Sequence, residues 1–409
     1  MPLRALLLSI ALGAVFFLIT ATTFASLGVI LPAMIAEFSW SWTTGGLGFT
    51  ALALMTGVFS PVAATSLERL GPRTHYALAG AVMTLGYALI GGANGVASYL
   101  VAASLLGAGF ALLANVPGTY LVGRATAPKW RNIAIGAYLA AGGAGGVVGP
   151  LMANALVSSG ADWRLYWFGS ALAAALTTAF IVALCRRSDA FGPEAERAIP
   201  ASADQDARSQ SWAPKQAMAT PAFLIIAGAL TVAYFCGVTV STWSVTHLQN
   251  AGLAPAFAVG MLSLYAASNA GARALGGIAA KRMRAKTLLV AALLANVFGM
   301  TALAFATSLP AAVAFAIFDG FAFGMALFAT TALLIDYFGL KNSPALLGGA
   351  NLAATVAMLG PTLAGRTADE WGSFAPIFMV YAGAALVAAA AVAWMRDPNA
   401  APSAVEAKA

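Results

Sequence analysis

Residues 262–281 read LSLYAASNAGARALGGIAAK. The stretch is apolar enough to lie in a bilayer, yet Arg273 sits well inside it. Tyr265, Asn269 and Arg273 are four residues apart, so they stack on one face of a helix. Gly276 and Gly277 continue near that face and allow a second helix to approach closely. A charge in hydrocarbon is costly and normally faces a protein interior or a watery cavity. The remainder of the chain is therefore expected to wall that cavity.

Composition agrees. The 409 residues are 61% hydrophobic and 9% charged, with mean hydropathy +0.84. Soluble domains carry about 25% charged residues, so this is a polytopic membrane protein. The net charge of +7 does not require nucleic acid, because Lys and Arg collect on the cytoplasmic side of membrane proteins. Cys185 and Cys236 fall in or beside apolar segments and form neither a disulfide framework nor a metal site. The first apolar run, about 5–35, exceeds the core of a signal peptide and reads as a spanning helix.

About twenty apolar residues cross a bilayer. Twelve spans are expected, at roughly 5–33, 44–66, 75–93, 97–122, 132–158, 165–185, 222–245, 255–280, 287–308, 310–335, 344–366 and 373–395. The expected fold is all-α, with two pseudo-symmetric six-helix halves. The expected organisation is a bundle over 1–185, a polar linker over 186–220, a second bundle over 221–396 and a tail over 397–409. The linker holds five basic and five acidic residues among Pro and Ser, the composition of a flexible connector. With the N-terminus placed inside, 18 of the 21 basic residues fall on inner loops and tails. Arg164 and Arg366 fall outside. The asymmetry predicts cytoplasmic termini.

The halves echo each other. Span 2 ends in Glu68-Arg69-Leu70-Gly71-Pro72-Arg73 and span 8 in Lys281-Arg282-Met283-Arg284. Arg282 lies 213 residues after Arg69, and Pro361 of span 11 lies 211 after Pro150 of span 5. A near-constant offset for two unlike features points to a duplicated six-helix unit, an architecture of secondary transporters.

On these residues the chain resembles the major facilitator superfamily, whose acidic-basic-x-Gly-x-basic loop looks like 68–73. Within it, the resemblance is to the monocarboxylate porter and oxalate–formate antiporter branch. It is carried by Gly28 to Pro32 leading to Glu37-Phe38-Ser39-Trp40-Ser41-Trp42, by Lys129 to Ala134, by Asp162-Trp163-Arg164, by His247 to Gly252, by Asn269 to Arg273 and by Asp336 to Gly339. The resemblance implies alternating access, with Glu68, Arg69 and Arg73 as gating residues. Three positions depart from the pattern. Lys281 stands where the second loop usually has an acid, and Asn250 and Asn269 stand where the branch often has acids. Carboxylate-driven coupling therefore cannot be carried over at those positions.

Arg273 lies about seven residues, or roughly 10 Å, from the inner end of its span. Asn115 and Asn351 lie about as deep in spans 4 and 11. A guanidinium and two amides at one depth suit a carboxylate, since the planar fork meets both oxygens. The substrate-binding residues expected are Arg273, Asn269, Tyr265, Asn115, Asn351 and Tyr234, the last with Phe235 as an aromatic wall. A snorkelling Arg273, and amides serving only helix packing, are the competing readings. Asp319 in span 10 is the other buried charge. A lone carboxyl in hydrocarbon is cheap to leave protonated and costly to ionise, which suits a proton carrier; a structural carboxyl bonded to a neighbouring helix is the alternative. His247 is expected at an interface.

The chain has no phosphate-binding loop, nucleophile elbow or His/Cys cluster. No enzyme activity, cofactor or metal is expected. The glycine-rich run 142–149 is expected to serve helix packing. The function expected is secondary active transport of an organic monocarboxylate with a proton, by a symporter that is a plasma-membrane monomer. The partners expected are a small organic anion, a proton and the lipid bilayer, with no nucleic acid. The alternative is an efflux pump for amphipathic compounds, suggested by the Gly149-Pro150 run.

Overall fold

The computed structural model describes residues 3–126, 130–185, 212–339 and 343–399. Most of the expected linker and of the C-terminal tail, 186–211 and 400–409, lies outside the described residues.

Twelve membrane-length helical segments follow one another, with no strand among the described residues. They are α1 (Leu3–Thr20, Ala21–Ala25 and Ser26–Phe38), α2 and α3 (both within Trp42–Gly91), α4 (Val96–Leu113 and Asn115–Ala125), α5 (Arg131–Ser158) and α6 (Trp163–Leu184). A short helix, Pro214–Met218, precedes α7 (Pro221–Asn250), α8 (Pro255–Ala279), α9 (Ala285–Ala304) and α10 (Leu309–Phe338). The last two are α11 (Ser343–Ala354, Thr355–Leu359 and Gly360–Trp371) and α12 (Ala375–Trp394). Ten are long and apolar enough to cross a membrane by length and composition. The other two are α3 and α8, whose arginine and polar face lower its hydropathy.

The ends of the helices follow local chemistry. Ser41, Asp162 and Thr220 accept from backbone N–H groups of the first turns of α2, α6 and α7. Gly71 lies at φ +74°, ψ 162°, a conformation that an L side chain rarely adopts. The loop expected over 68–73 is thus a sharp kink inside an otherwise continuous helical segment.

Three helices are irregular where hydropathy alone predicts a plain span. In α1, Ala21–Ala25 forms a π-turn, a feature often found at functional sites. α4 breaks at Ala114 (φ −82°, ψ −148°). α11 carries a 3₁₀ segment at Thr355–Leu359.

We call the end where α1 begins and α12 ends the near end, and the opposite end the far end. The two six-helix halves meet through the far parts of their helices. Gly28 of α1 packs against the Ser241 carbonyl of α7, and Gly46 of α2 against the Pro361 carbonyl of α11. Thr50 Oγ1 donates to the Met358 carbonyl at 2.7 Å and pairs with Thr362 Oγ1 at 2.8 Å. The Asp369 carboxylate accepts from the Trp42 and Thr43 amides at 2.9 Å each and from Thr43 Oγ1 at 2.5 Å. At mid-depth α5 meets α8, with Gly143 and Gly146 beside the Ala270 and Ala266 methyls.

The near parts pack within their own halves instead. Asn115–Ala125 lies on α1, α4, α5 and the α2–α3 segment; Ser343–Ala354 lies on α7, α10 and the short helix. The molecule is closed at the far end and diverges toward the near end.

The glycine run of α5 has two working faces. Gly145 and Gly149 leave no room for a Cβ against the Phe17 and Ala21 carbonyls of α1, and Gly142 none against the Phe16 ring. Gly143 and Gly146 face α8 with room for a Cβ. Close packing thus requires three glycines of the run, Gly142, Gly145 and Gly149.

Candidate functional site

The α8 face centres on one contact. Arg273 Nε donates to Asn269 Oδ1 at 3.1 Å, one helical turn away. Arg273 is solvent-exposed, Asn269 half-buried. Among the described residues no group accepts from the two terminal amino groups of Arg273, and no carboxylate pairs with it. The guanidinium therefore presents its outer edge unpaired. Tyr234 of α7 and Tyr265 lie within electrostatic range of it. Tyr234 is half-buried and stands edge-on to Phe323 of α10, with ring centroids 5.6 Å apart.

Tyr265 belongs as much to a second centre. It is 3% exposed and stacks on Phe315 of α10 at 6.3 Å. Its carbonyl packs against Gly320, beside Asp319. Tyr265 and Asp319 each lie ten residues from the far end of their helices, so they share a level. Asp319 is fully buried, and neither of its carboxyl oxygens has a hydrogen-bond partner among the described residues. The same holds for the Tyr265 hydroxyl and the Asn296 amide of α9. Asn296 precedes by one turn Gly299, where an added Cβ would lie 2.6 Å from Asp319 Cβ. An unpaired buried carboxyl is the exception in folded proteins.

The other expected site residues are dispersed. Asn351 is exposed on α11, and among the described residues its side chain makes no hydrogen bond to Arg273. Asn115 opens the second part of α4 directly after its break; its side chain lies outside the described residues. Glu68, Arg69 and Arg73 flank the Gly71 kink at the near end; all three are exposed, and none is in a salt bridge among the described residues.

His247, three residues from the far end of α7, is buried in the protein. It is 7% exposed, its Nε2 is 2.9 Å from the Leu303 carbonyl, and it stands edge-on to Phe378. The far end of α7 is roofed by α9 and α12, which span length alone does not reveal.

Sequence reading missed two polar groupings. Around the π-turn of α1, Thr22 and Thr23 meet the Tyr87 hydroxyl at 2.5 and 2.9 Å, and Ser26 meets the Tyr166 hydroxyl at 2.5 Å. At the far end Arg164 forms a two-pronged pair with Glu37 at 3.0 and 2.7 Å, which Trp163 Nε1 joins at 2.7 Å. The second is within reach of the sequence, since Glu37 and Asp162-Trp163-Arg164 both belong to motifs that carry the resemblance.

Twelve helices in two halves, closed at one end around polar groups at mid-depth, define a membrane transporter. The family model described as Major Facilitator Superfamily matches residues 12–297 and 258–409, and the chain belongs to that superfamily. No curated protein matches it. Among solved structures it is similar to a bacterial homologue of the human lysosomal transporter Spinster in an inward-facing, occupied conformation. That match has 17% identity and TM-score 0.71, covering 96% of this chain and 94% of the other. It is also similar to the nucleoside transporter NupG, with 14% identity, TM-score 0.72, and coverage of 96% and 98%. At these identities the likeness concerns the fold.

Proposed function

We propose that the chain carries an organic monocarboxylate together with a proton by alternating access, with Arg273 as the carboxylate anchor and Asp319 as the proton carrier. The observation that supports this is the unpaired outer edge of Arg273. Asn269 uses Nε only, which leaves the two terminal amino groups to meet both oxygens of one carboxylate. Tyr234, Tyr265, Asn351 and Asn115 remain proposed substrate-binding residues, although among the described residues only Asn269 hydrogen-bonds Arg273. Glu68, Arg69 and Arg73 are the proposed near-end gate.

The described near-end helix termini and loops hold Arg69, Arg73, Arg124, Lys215, Lys281, Arg282, Arg284, Lys286 and Arg396, while Arg164 and Arg366 mark the far end. That bias supports a cytoplasmic near end, hence an inward-facing state and cytoplasmic termini. We assign the protein to the plasma membrane as a monomer. The amphipathic-efflux alternative rests on the glycine run of α5, in which Gly142, Gly145 and Gly149 pack tightly against α1.

Thermal stabilisation of the purified protein tests the proposal, because a ligand bound to the native state raises its apparent stability. Acetate, propionate and lactate are expected to stabilise it, and oxalate and succinate are not, since one cation leaves a dianion with one charge uncompensated. Arg273→Ala is expected to abolish the effect. Equal stabilisation by oxalate or succinate, or stabilisation that survives Arg273→Ala, overturns it.

A further inference from the structure

The N-terminal half carries no charge at membrane depth in five of its spans. Spans 1, 2, 4, 5 and 6 hold no Lys, Arg, Asp or Glu over 5–35, 44–66, 97–122, 132–158 and 165–185. The N-terminal half therefore offers no second charge to a ligand held from the other side.

What it offers is rings. Phe24, in the π-turn of α1, and Phe110 of α4 are both half-buried and stand edge to face with centroids 5.0 Å apart at 85°. Phe49 and Phe16 support them from behind, at 5.8 Å from Phe24 and 6.5 Å from Phe110. Phe49 is fully buried and Phe16 nearly so. The outer pair thus rests on a fixed base.

Position ties this cluster to Arg273. The π-turn carrying Phe24 touches α7, the helix of Tyr234. One turn farther out, Gly28 meets the Ser241 carbonyl and closes the passage. Phe24 and Phe110 each lie 14 residues from the far end of their helices, and Arg273 lies 18 from that of α8. At 1.5 Å per residue the rings sit roughly 6 Å farther toward the closed end than the guanidinium. A ligand held at Arg273 and extending toward the closed end reaches the level of Phe24 and Phe110.

Resting on the reading of Arg273 as the carboxylate anchor, we infer that the preferred substrate is an amphipathic monocarboxylate, an aromatic or branched apolar acid whose body packs on Phe24 and Phe110. Aromatic faces and edges reward a ring beyond the area that it buries. A short hydrophilic acid would leave that surface wet.

Propionate and 3-phenylpropionate are a matched pair that differs by the ring. Binding of each to the purified full-length protein is measured by calorimetry for wild type, Phe24→Leu, Phe110→Leu and Arg273→Ala. Thermal melting without ligand verifies that each variant is folded. The inference expects 3-phenylpropionate to bind wild type at least about tenfold more tightly than propionate. It expects the ratio to fall to within about threefold in Phe24→Leu or Phe110→Leu, with propionate affinity retained. It expects Arg273→Ala to weaken both acids alike. Equal affinities in wild type, or a ratio unchanged in both leucine variants while Arg273→Ala still weakens both acids, overturns the aromatic subsite and leaves the carboxylate anchor standing. Full binding of both acids by Arg273→Ala, or no binding of either by wild type at millimolar concentration, overturns the anchor and this inference with it.

Discussion

Asp369 and Thr43 are 326 residues apart in sequence and belong to opposite halves, yet the Asp369 carboxylate holds Thr43 by both its amide and its hydroxyl. The Trp42 amide adds a third donor. These amides open α2 and have no partner within their own helix, so a carboxylate there supplies both hydrogen bonds and a favourable charge. The contact bridges the two halves at the closed far end, the position a latch would take.

Asp369→Ala should therefore shift the protein toward states open at the far end. A hydrogen bond to a charged group contributes about 1.5–3 kcal/mol when enclosed. For this exposed carboxylate we take about 1 kcal/mol in net terms, or roughly a fivefold change in the equilibrium. Ser241→Cys reports it, since Ser241 lies where α7 closes on Gly28. Its modification by an impermeant maleimide from the far side is expected to be about fivefold faster in the Asp369→Ala background. An unchanged rate would mean that the latch does not control closure.

At the other end the Gly71 kink separates α2 from α3, and Glu68, Arg69 and Arg73 project around it. In this near-end-open form they have no salt-bridge partner among the described residues, as expected of groups that pair only when the near end closes. Arg69→Ala should slow transport while leaving ligand affinity within about threefold, because Arg273 lies about two helical turns deeper than the near end. Gly71→Ala should add backbone strain of about 1–3 kcal/mol, lowering the melting temperature of the protein. A loss of binding in Arg69→Ala equal to that in Arg273→Ala would contradict the gating role.

Much of this was legible in the sequence because membrane helices are long and their patterns are local. The pairing of Asn269 with Arg273 follows from four-residue spacing and is present at 3.1 Å. The glycine run was readable as a packing surface, although not as two faces serving α1 and α8. What stayed hidden is of two kinds. The π-turn of α1, the break at Ala114 and the 3₁₀ segment of α11 change the backbone without changing hydropathy. The latch at Asp369 and the burial of His247 depend on residues far away in sequence. No periodicity reports such contacts.

Arg273→Lys should not restore binding. Lysine keeps the charge but offers an ammonium on a flexible stem in place of a planar fork, and Asn269 loses the Nε–H that fixes the head. Affinity for a monocarboxylate is expected to fall about tenfold or more, the loss of one charge-assisted contact. Calorimetric titration checks it. Wild-type affinity in the lysine variant would show that charge alone holds the substrate.

Asp319 carries the remaining prediction. Asn250 and Asn269 are amides, so the proposed proton coupling needs a titrating group elsewhere. Asp319 is buried without a hydrogen-bond partner among the described residues, packed on Gly299 and level with the Tyr265 hydroxyl. Protonated, it can remain in that apolar setting; ionised, it needs water or a cation, and in the proposed role that difference biases which end of the cavity opens. Asp319→Asn mimics the protonated form in shape and charge. In proteoliposomes it should abolish accumulation of a monocarboxylate driven by a pH difference, yet keep exchange of labelled for unlabelled substrate. Gly299→Ala, which forces the helix pair apart at the Asp319 turn, should weaken pH-driven accumulation while Arg273-dependent binding persists. Accumulation against a gradient by Asp319→Asn under an imposed pH difference would make Asp319 a structural carboxyl and place the coupling elsewhere.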